Sequence, residues 1–204
     1  MRRALLVLAA CLVVTAAGLY AVRGRGVSAR PAPSALEVRA ALLLRSWLTP
    51  PRIKTVLNPV TVTPQVLAAA REHFADHCAS CHGNDGSGRT AMGQALYPKA
   101  PDMREARTQQ LSDGELFYFI ENGIRLTGMP GWGTGTPEGE TASWSLVHFI
   151  RHLPSLTPAD IEEMERLNPR SREEIEEEQK ADDFLTGGEP PPAGPDPHAG
   201  HRQP

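Results

Sequence analysis

The sequence predicts an all-α protein. Three observations carry that expectation. Apolar residues recur at helical spacing in separate stretches, those stretches open on cap signals, and they close on Gly or Pro. With 204 residues the chain has room for one ordinary domain and additions. It is 40% hydrophobic with a net charge of −3, too apolar and too near neutral for a fully disordered chain. A negative mean hydropathy and a single long apolar run exclude a polytopic membrane protein. The near-neutral charge argues against a whole-chain nucleic-acid binder. Three Cys are too few for a disulfide scaffold.

The small net charge hides a segregation. Residues 1–60 carry +8, residues 61–154 carry −3 and residues 155–204 carry −8. Charge and proline placement divide the chain into four zones: 1–25, 26–60, 61–154 and 155–204.

The first zone holds Met1-Arg2-Arg3 and an uncharged run over residues 4–22, closed by Arg23, Arg25 and Arg30. Nineteen residues of helix rise about 28 Å, enough for a bilayer core. The length favours an uncleaved transmembrane anchor over a cleaved secretory signal, for which Thr15-Ala16-Ala17 is a weak cleavage site. Leu8-Ala9-Ala10-Cys11 resembles a lipoprotein box, but the apolar run continues past it. Arginines at both ends leave the orientation open on charge alone.

In the second zone, Leu36, Ala40, Leu43, Leu44 and Trp47 fall on one stripe of an amphipathic helix over residues 34–48. That stripe would lie on an anionic membrane surface or pack on the main domain. Residues 49–64 contain four prolines and read as an extended linker, which would let the next zone move.

The third zone opens with Thr63 as a cap and Pro64 in the first turn of a helix through Val66, Ala69, Ala70 and Phe74. It leads into Cys78-Ala79-Ser80-Cys81-His82 and the loop Gly83–Gly88. Ser112 and Glu115 have capping-box spacing for a helix ending at Asn122-Gly123. A last helix is expected over residues 141–152, with Trp144, Val147, Phe149 and Ile150 as anchors and Pro154 as its stop.

A C-x-x-C-H run is a haem attachment signature. Two thiols at this spacing add to the two vinyl groups on one porphyrin edge, and the next residue then sits beneath the iron as a ligand. C-x-x-C alone is ambiguous between zinc, redox dithiol and haem. The adjoining His82 shifts the reading to haem, as does the lack of a second Cys pair. The pairs His73/His77 and His148/His152 have helical metal-ligand spacing but no evident third ligand.

In this order, C-x-x-C-H, helix, Gly128-Met129-Pro130-Gly131-Trp132 and last helix, residues 61–154 resemble a class I monohaem cytochrome c domain. The resemblance implies a small helical fold around one covalent haem c, with the first and last helices crossing where Ala70 and Phe74 meet Phe149. The family commonly has Gly at the position of Ala70. It implies Cys78 and Cys81 as attachment points, and His82 and Met129 as axial ligands. Pro101 would accept a hydrogen bond from the other ring nitrogen of His82. Met103 and Met92 are competing thioethers, better placed for packing. Tyr97, Arg125 and Trp132 are candidates for haem propionate contacts or pocket walls, or have ordinary packing roles.

Further implications concern role and place. With both axial positions filled, the expected function is one-electron transfer between a redox donor and an acceptor protein, not enzymatic turnover. The alternatives are a cytochrome subunit of a larger membrane-bound oxidoreductase, or a gas-binding haem sensor with a labile Met129. Haem attachment in bacteria occurs outside the cytoplasmic membrane. The resemblance therefore implies a bacterial, single-pass membrane protein with its haem domain in the periplasm.

The fourth zone starts another helix at Thr157-Pro158 and becomes Glu-rich over residues 170–185, where at most a marginal solvated helix is expected. From Gly187 the composition reads as disordered and includes His198 and His201. A solubilising tail is favoured over an acidic docking arm.

Overall fold

Among the described residues the chain forms ten α-helices and three short helical turns, and six of those helices start on a side-chain cap. The computed structural model describes residues 2–26, 28–170 and 172–186, with only the backbone described for Ala4, Val22, Arg25, Arg172 and Glu173. Among the described residues there are helices and no strands.

Helix α1 is Arg2–Arg25. Among the described residues, no helix is long and apolar enough to cross a membrane. The fold thus does not establish the spanning anchor expected over residues 4–22.

Helix α2, Ala35–Leu48, starts on a full capping box between Ser34 and Glu37. It leans on the domain through Val38, Leu42, Arg45 and the buried Thr49, not through the predicted apolar stripe, which is exposed. The next segment corrects the linker reading. A 3₁₀ turn at Pro51–Thr55 packs on helix α7 (Asp113–Asn122). A Cβ on Gly114 of α7 would stand 2.0 Å from the Ile53 carbonyl oxygen, so only glycine admits this approach. Asn58 Nδ2 donates to the Trp144 carbonyl (2.9 Å), and His148 Nε2 lies 2.7 Å from the Val60 carbonyl. Proline makes this segment extended, and these side chains then bind it down as a strap.

Helix α3, Pro64–His73, is capped by Thr63, whose hydroxyl accepts from the Val66 amide. The helix does not run straight into the C-x-x-C-H motif. Phe74–Cys78 forms a π turn, and α4, Ala79–His82, follows it. Short helices α5 (Ala91–Ala95) and α6 (Ala106–Gln109) precede α7, whose predicted Ser112/Glu115 capping box is present.

Helix α8 is Pro137–His152, one turn longer at its start than expected because Thr136 caps it and Pro137 occupies its first turn. It crosses α3 with Ala70 buried and the Phe74 and Phe149 ring centroids 5.1 Å apart. An alanine in place of the smaller glycine therefore still lets the crossing form. Phe117 stacks on Trp144 at 4.0 Å and extends the core toward α7.

The core does not stop at residue 154. After the 3₁₀ turn Leu153–Ser155, helix α9, Pro158–Glu165, inserts a fully buried Met164. Arg71 of α3 pairs with Glu163 at 2.9 Å. The first compact unit is accordingly Met1–Leu167, and Asn168–Pro204 is a second. In the second, α10 spans Arg172–Leu185, its described side chains all exposed. The tail expected to be disordered from Gly187, with His198 and His201, lies outside the described residues.

Candidate functional site

The C-x-x-C-H motif is positioned from three sides. The π turn places Cys78 at the end of the α3 line, closed by the Ala79 amide donating to the Phe74 carbonyl. Such bulges widen a helix by one residue and re-aim the chain beyond them. The Thr90 hydroxyl donates to the carbonyls of Ser80 (2.8 Å) and Cys81 (3.1 Å). The loop after the motif is held through the Gly88 amide, which donates to the His82 carbonyl at 2.7 Å.

That loop packs on the segment carrying Pro101. Gly88 has φ +69°, and a Cβ there would stand 2.4 Å from the Ala100 carbonyl oxygen. Both the left-handed backbone and the close approach require glycine. The Met103 amide donates to the Gly86 carbonyl (2.8 Å). Arg104 then ties the two segments: its Nε and Nη2 donate to Asp102 at 2.9 and 2.6 Å, and its Nη1 to Asp85 at 3.3 Å. The Arg104 guanidinium holds the Asp102 carboxyl below its ordinary range.

Burial pushes the Cys78 thiol up to about 12, with the neighbouring Cys81 adding to it. An uncharged thioether fits the same place without an ionisation cost. Burial also holds the His82 imidazole below its ordinary value, and the Pro101 carbonyl acts against that shift. His82 Nδ1 is buried and makes no hydrogen bond of ordinary geometry in the protein. The contact with Pro101 is thus close enough to act electrostatically but is not a well-formed hydrogen bond. A neutral imidazole with a buried Nδ1, beside two half-buried thiols, is a donor set that fits a covalent haem.

The loop bearing Met129 is brought to this motif through Trp132. The Trp132 ring stacks on His77, with centroids 5.5 Å apart, and His77 immediately precedes Cys78. The Trp132 and Gly133 amides donate to the carbonyls of Ile120 and Glu121 at the end of α7. Within the loop, the Met129 amide donates to Thr127 Oγ1 (3.1 Å), and the Met129 carbonyl accepts from the Ile124 amide (3.1 Å).

Of the other sequence-derived candidates, Met103 is 7% exposed and belongs to the core, whereas Met92 is 56% exposed on α5. Tyr97 donates its hydroxyl to Glu37 of α2 at 3.2 Å. Arg125 is exposed. His73 and His77 meet edge-on at 4.9 Å. Among the described residues, no group of three or more His, Cys, Asp or Glu side chains stands together as a metal site.

Sequence reasoning missed the supporting groups. Arg104 works through carboxylates on both sides of the loop, and only the local Asp102-x-Arg104 spacing hinted at it. Arg151 donates to Asp113, Gln109 and Leu111, linking α8 to the start of α7 with no local sign.

Residues 65–150 match the family model described as cytochrome c oxidase, cbb3-type, subunit III. No curated protein matches the chain.

Proposed function

Because residues 65–150 are a monohaem c-type cytochrome domain, we propose that the chain is a one-electron carrier with a single haem c. Cys78 and Cys81 would hold the haem covalently, and His82 and Met129 would ligate its iron. The observation that carries this reading is the Trp132–His77 stack, which ties the Met129 loop to the residue before Cys78.

Bound haem supplies an iron centre that changes oxidation state by one electron. The remaining chemistry belongs to the protein. His82 is kept neutral by burial and so offers a lone pair at neutral pH. The Pro101 carbonyl faces the same imidazole and restricts its orientation once a proton is shared between them. Met129 supplies a soft, uncharged thioether, which favours the ferrous state and raises the potential. Two protein ligands close the iron to substrate, so catalysis is not part of the proposal.

A second reading is a cytochrome subunit of a membrane-bound oxidoreductase. It is favoured by the matching family's description as an oxidase subunit. It shares the same haem chemistry and differs by a stable partner that co-purifies. In either case we place the protein in a bacterial cytoplasmic membrane, anchored by residues 4–22, with its haem domain in the periplasm. The uncharged run between arginines and the need for haem attachment outside the cytoplasm support this placement.

The test is the absorption spectrum of the purified ferric protein beside Met129→Ala, with carbon monoxide added to the reduced forms. The expected result is a weak far-red sulfur–iron band in the unmutated protein only, and carbon monoxide binding by the variant only. The potential of the variant should fall, within the ~0.8 V span that axial ligands command. Ready carbon monoxide binding by the unmutated protein would replace the carrier with a sensor whose Met129 leaves the iron. Loss of the band in Met103→Leu instead would move the ligand to Met103.

A further inference from the structure

Helix α2 has two opposed faces, and the fold uses only one of them. Val38, Leu42, Arg45 and Thr49 face the domain. There the Arg45 guanidinium lies 5.3 Å from the centre of the Phe119 ring, and Thr49 is buried. Two polar ties support the same docking. Tyr97 donates to Glu37, and Lys54 Nζ donates to Ser46 at 3.0 Å. The stripe of Leu36, Ala40, Leu43, Leu44 and Trp47 repeats the same spacing shifted by two residues. At 3.6 residues per turn that shift is about 200°. Leu36, Leu43 and Trp47 are 77%, 74% and 79% exposed, so none of the described residues covers the stripe.

We propose that α2 is an interfacial membrane helix. It holds the haem domain with one face and lies on an anionic bilayer with the other, so that the domain is kept at the surface in one orientation. The inference rests on the membrane anchor proposed above.

Chain length, charge and side-chain type select the bilayer as occupant. Nine residues, 26–34, join α1 to α2, and fully extended they span at most about 32 Å. The stripe therefore stays close to the surface from which α1 emerges. Residues 1–60 carry nine Lys/Arg and a single acid, Glu37. That acid is turned to its own cap and to Tyr97. Arg39 and Arg52 are exposed, which favours anionic headgroups. Leu and Trp on one side with basic residues on the flanks is the composition of a helix lying in a headgroup layer. The cytochrome family match begins at residue 65, after α2 and the strap.

The test uses the full-length haem-loaded chain with Cys11→Ser, in vesicles of phosphatidylcholine with phosphatidylglycerol. Spin labels are placed singly at Leu36→Cys, Leu43→Cys and Trp47→Cys, with Glu72→Cys on the exposed side of α3 as the aqueous control. Collision with oxygen should exceed collision with a water-soluble nickel chelate severalfold at the three stripe positions, and the order should reverse at position 72. Stripe labels that behave like position 72 would overturn the proposal, leaving the stripe in water. Stripe labels shielded from both reagents would also overturn it, in favour of a covering protein. Retention on alkaline carbonate extraction reads the anchor separately, and the reduced absorption spectrum reads the haem site. A failed α2 is thereby distinguished from a failed anchor or a failed cytochrome reading, and each variant is checked for its fold.

Discussion

The single side chains that matter most to the C-x-x-C-H motif are those that hold its carbonyl partners still. Arg104 bridges Asp85, in the Gly83–Gly88 loop, and Asp102, next to Pro101 in the segment that packs on that loop. Its bonds to Asp102 are charge-assisted and short, but Arg104 is partly exposed. Their net worth is therefore about 1 kcal/mol. The sign of the pH effect follows from the direction of the Asp102 shift. Its folded value is depressed below 3.8, so the stabilisation is complete above that value and is lost as pH falls through the folded one. Melting curves of the unmutated protein and Asp102→Asn should differ by a constant amount from neutral pH down to about pH 5, and converge below about pH 4. A difference that grows on acidification would show that the carboxylate is not stabilising.

At the scale of elements, the strap between α2 and α3 changes what a glycine is for. Gly114 lies inside α7, where alanine ordinarily favours a helix by about 1 kcal/mol. Here a Cβ would meet the Ile53 carbonyl oxygen at 2.0 Å and Val56 Cβ at 3.1 Å. Gly114→Ala is expected to lower stability by about 1–3 kcal/mol, the usual cost of overpacking. A thermal melt that shows Gly114→Ala to be more stable than the unmutated protein would mean the strap is not docked there. The α8–α7 link makes a parallel case. Arg151 donates to one carboxylate and two carbonyls at 2.5–3.0 Å, all within α6, α7 and their connection. Arg151→Met keeps the stem and removes those bonds, so chemical denaturation should show a loss of about 2–3 kcal/mol. A loss under a few tenths would place the guanidinium among ordinary surface groups.

For the molecule as a whole, the docked strap ties residues 49–64 to α7 and α8 of the cytochrome domain. Freedom between donor and acceptor would not come from the four prolines of that segment. Limited proteolysis reads this directly. Trypsin should cut after Arg170 at least about tenfold faster than after Arg52, since a tenfold difference corresponds to about 1.4 kcal/mol of local opening. Arg170 stands outside the first compact unit, which ends at Leu167, whereas Arg52 lies within the strap. Early cleavage at Arg52 would restore the flexible linker.

Much of this protein is legible in local patterns. The helical class, the capping box at Ser112/Glu115 and the Thr63-Pro64 start depend on residues within a turn of one another, and all are present. The C-x-x-C-H motif is equally local, because the chemistry of attaching a porphyrin edge demands fixed spacing on one chain segment. The crossing of Phe74 and Phe149 was readable because helical periodicity marks the buried face and the resemblance supplies the partner. What could not be read depends on groups far apart in the chain. The strap looked like a linker because proline removes donors locally, while Asn58 and His148, each bonded across more than 80 positions, hold it down. Met164 joined the core because α9 folds back against α3, with Arg71 and Glu163 closing the contact. The amphipathic stripe of α2 was visible from its spacing. Only the packed structure shows that the domain is gripped by the opposite face, because periodicity marks an apolar side without saying which neighbour will meet it.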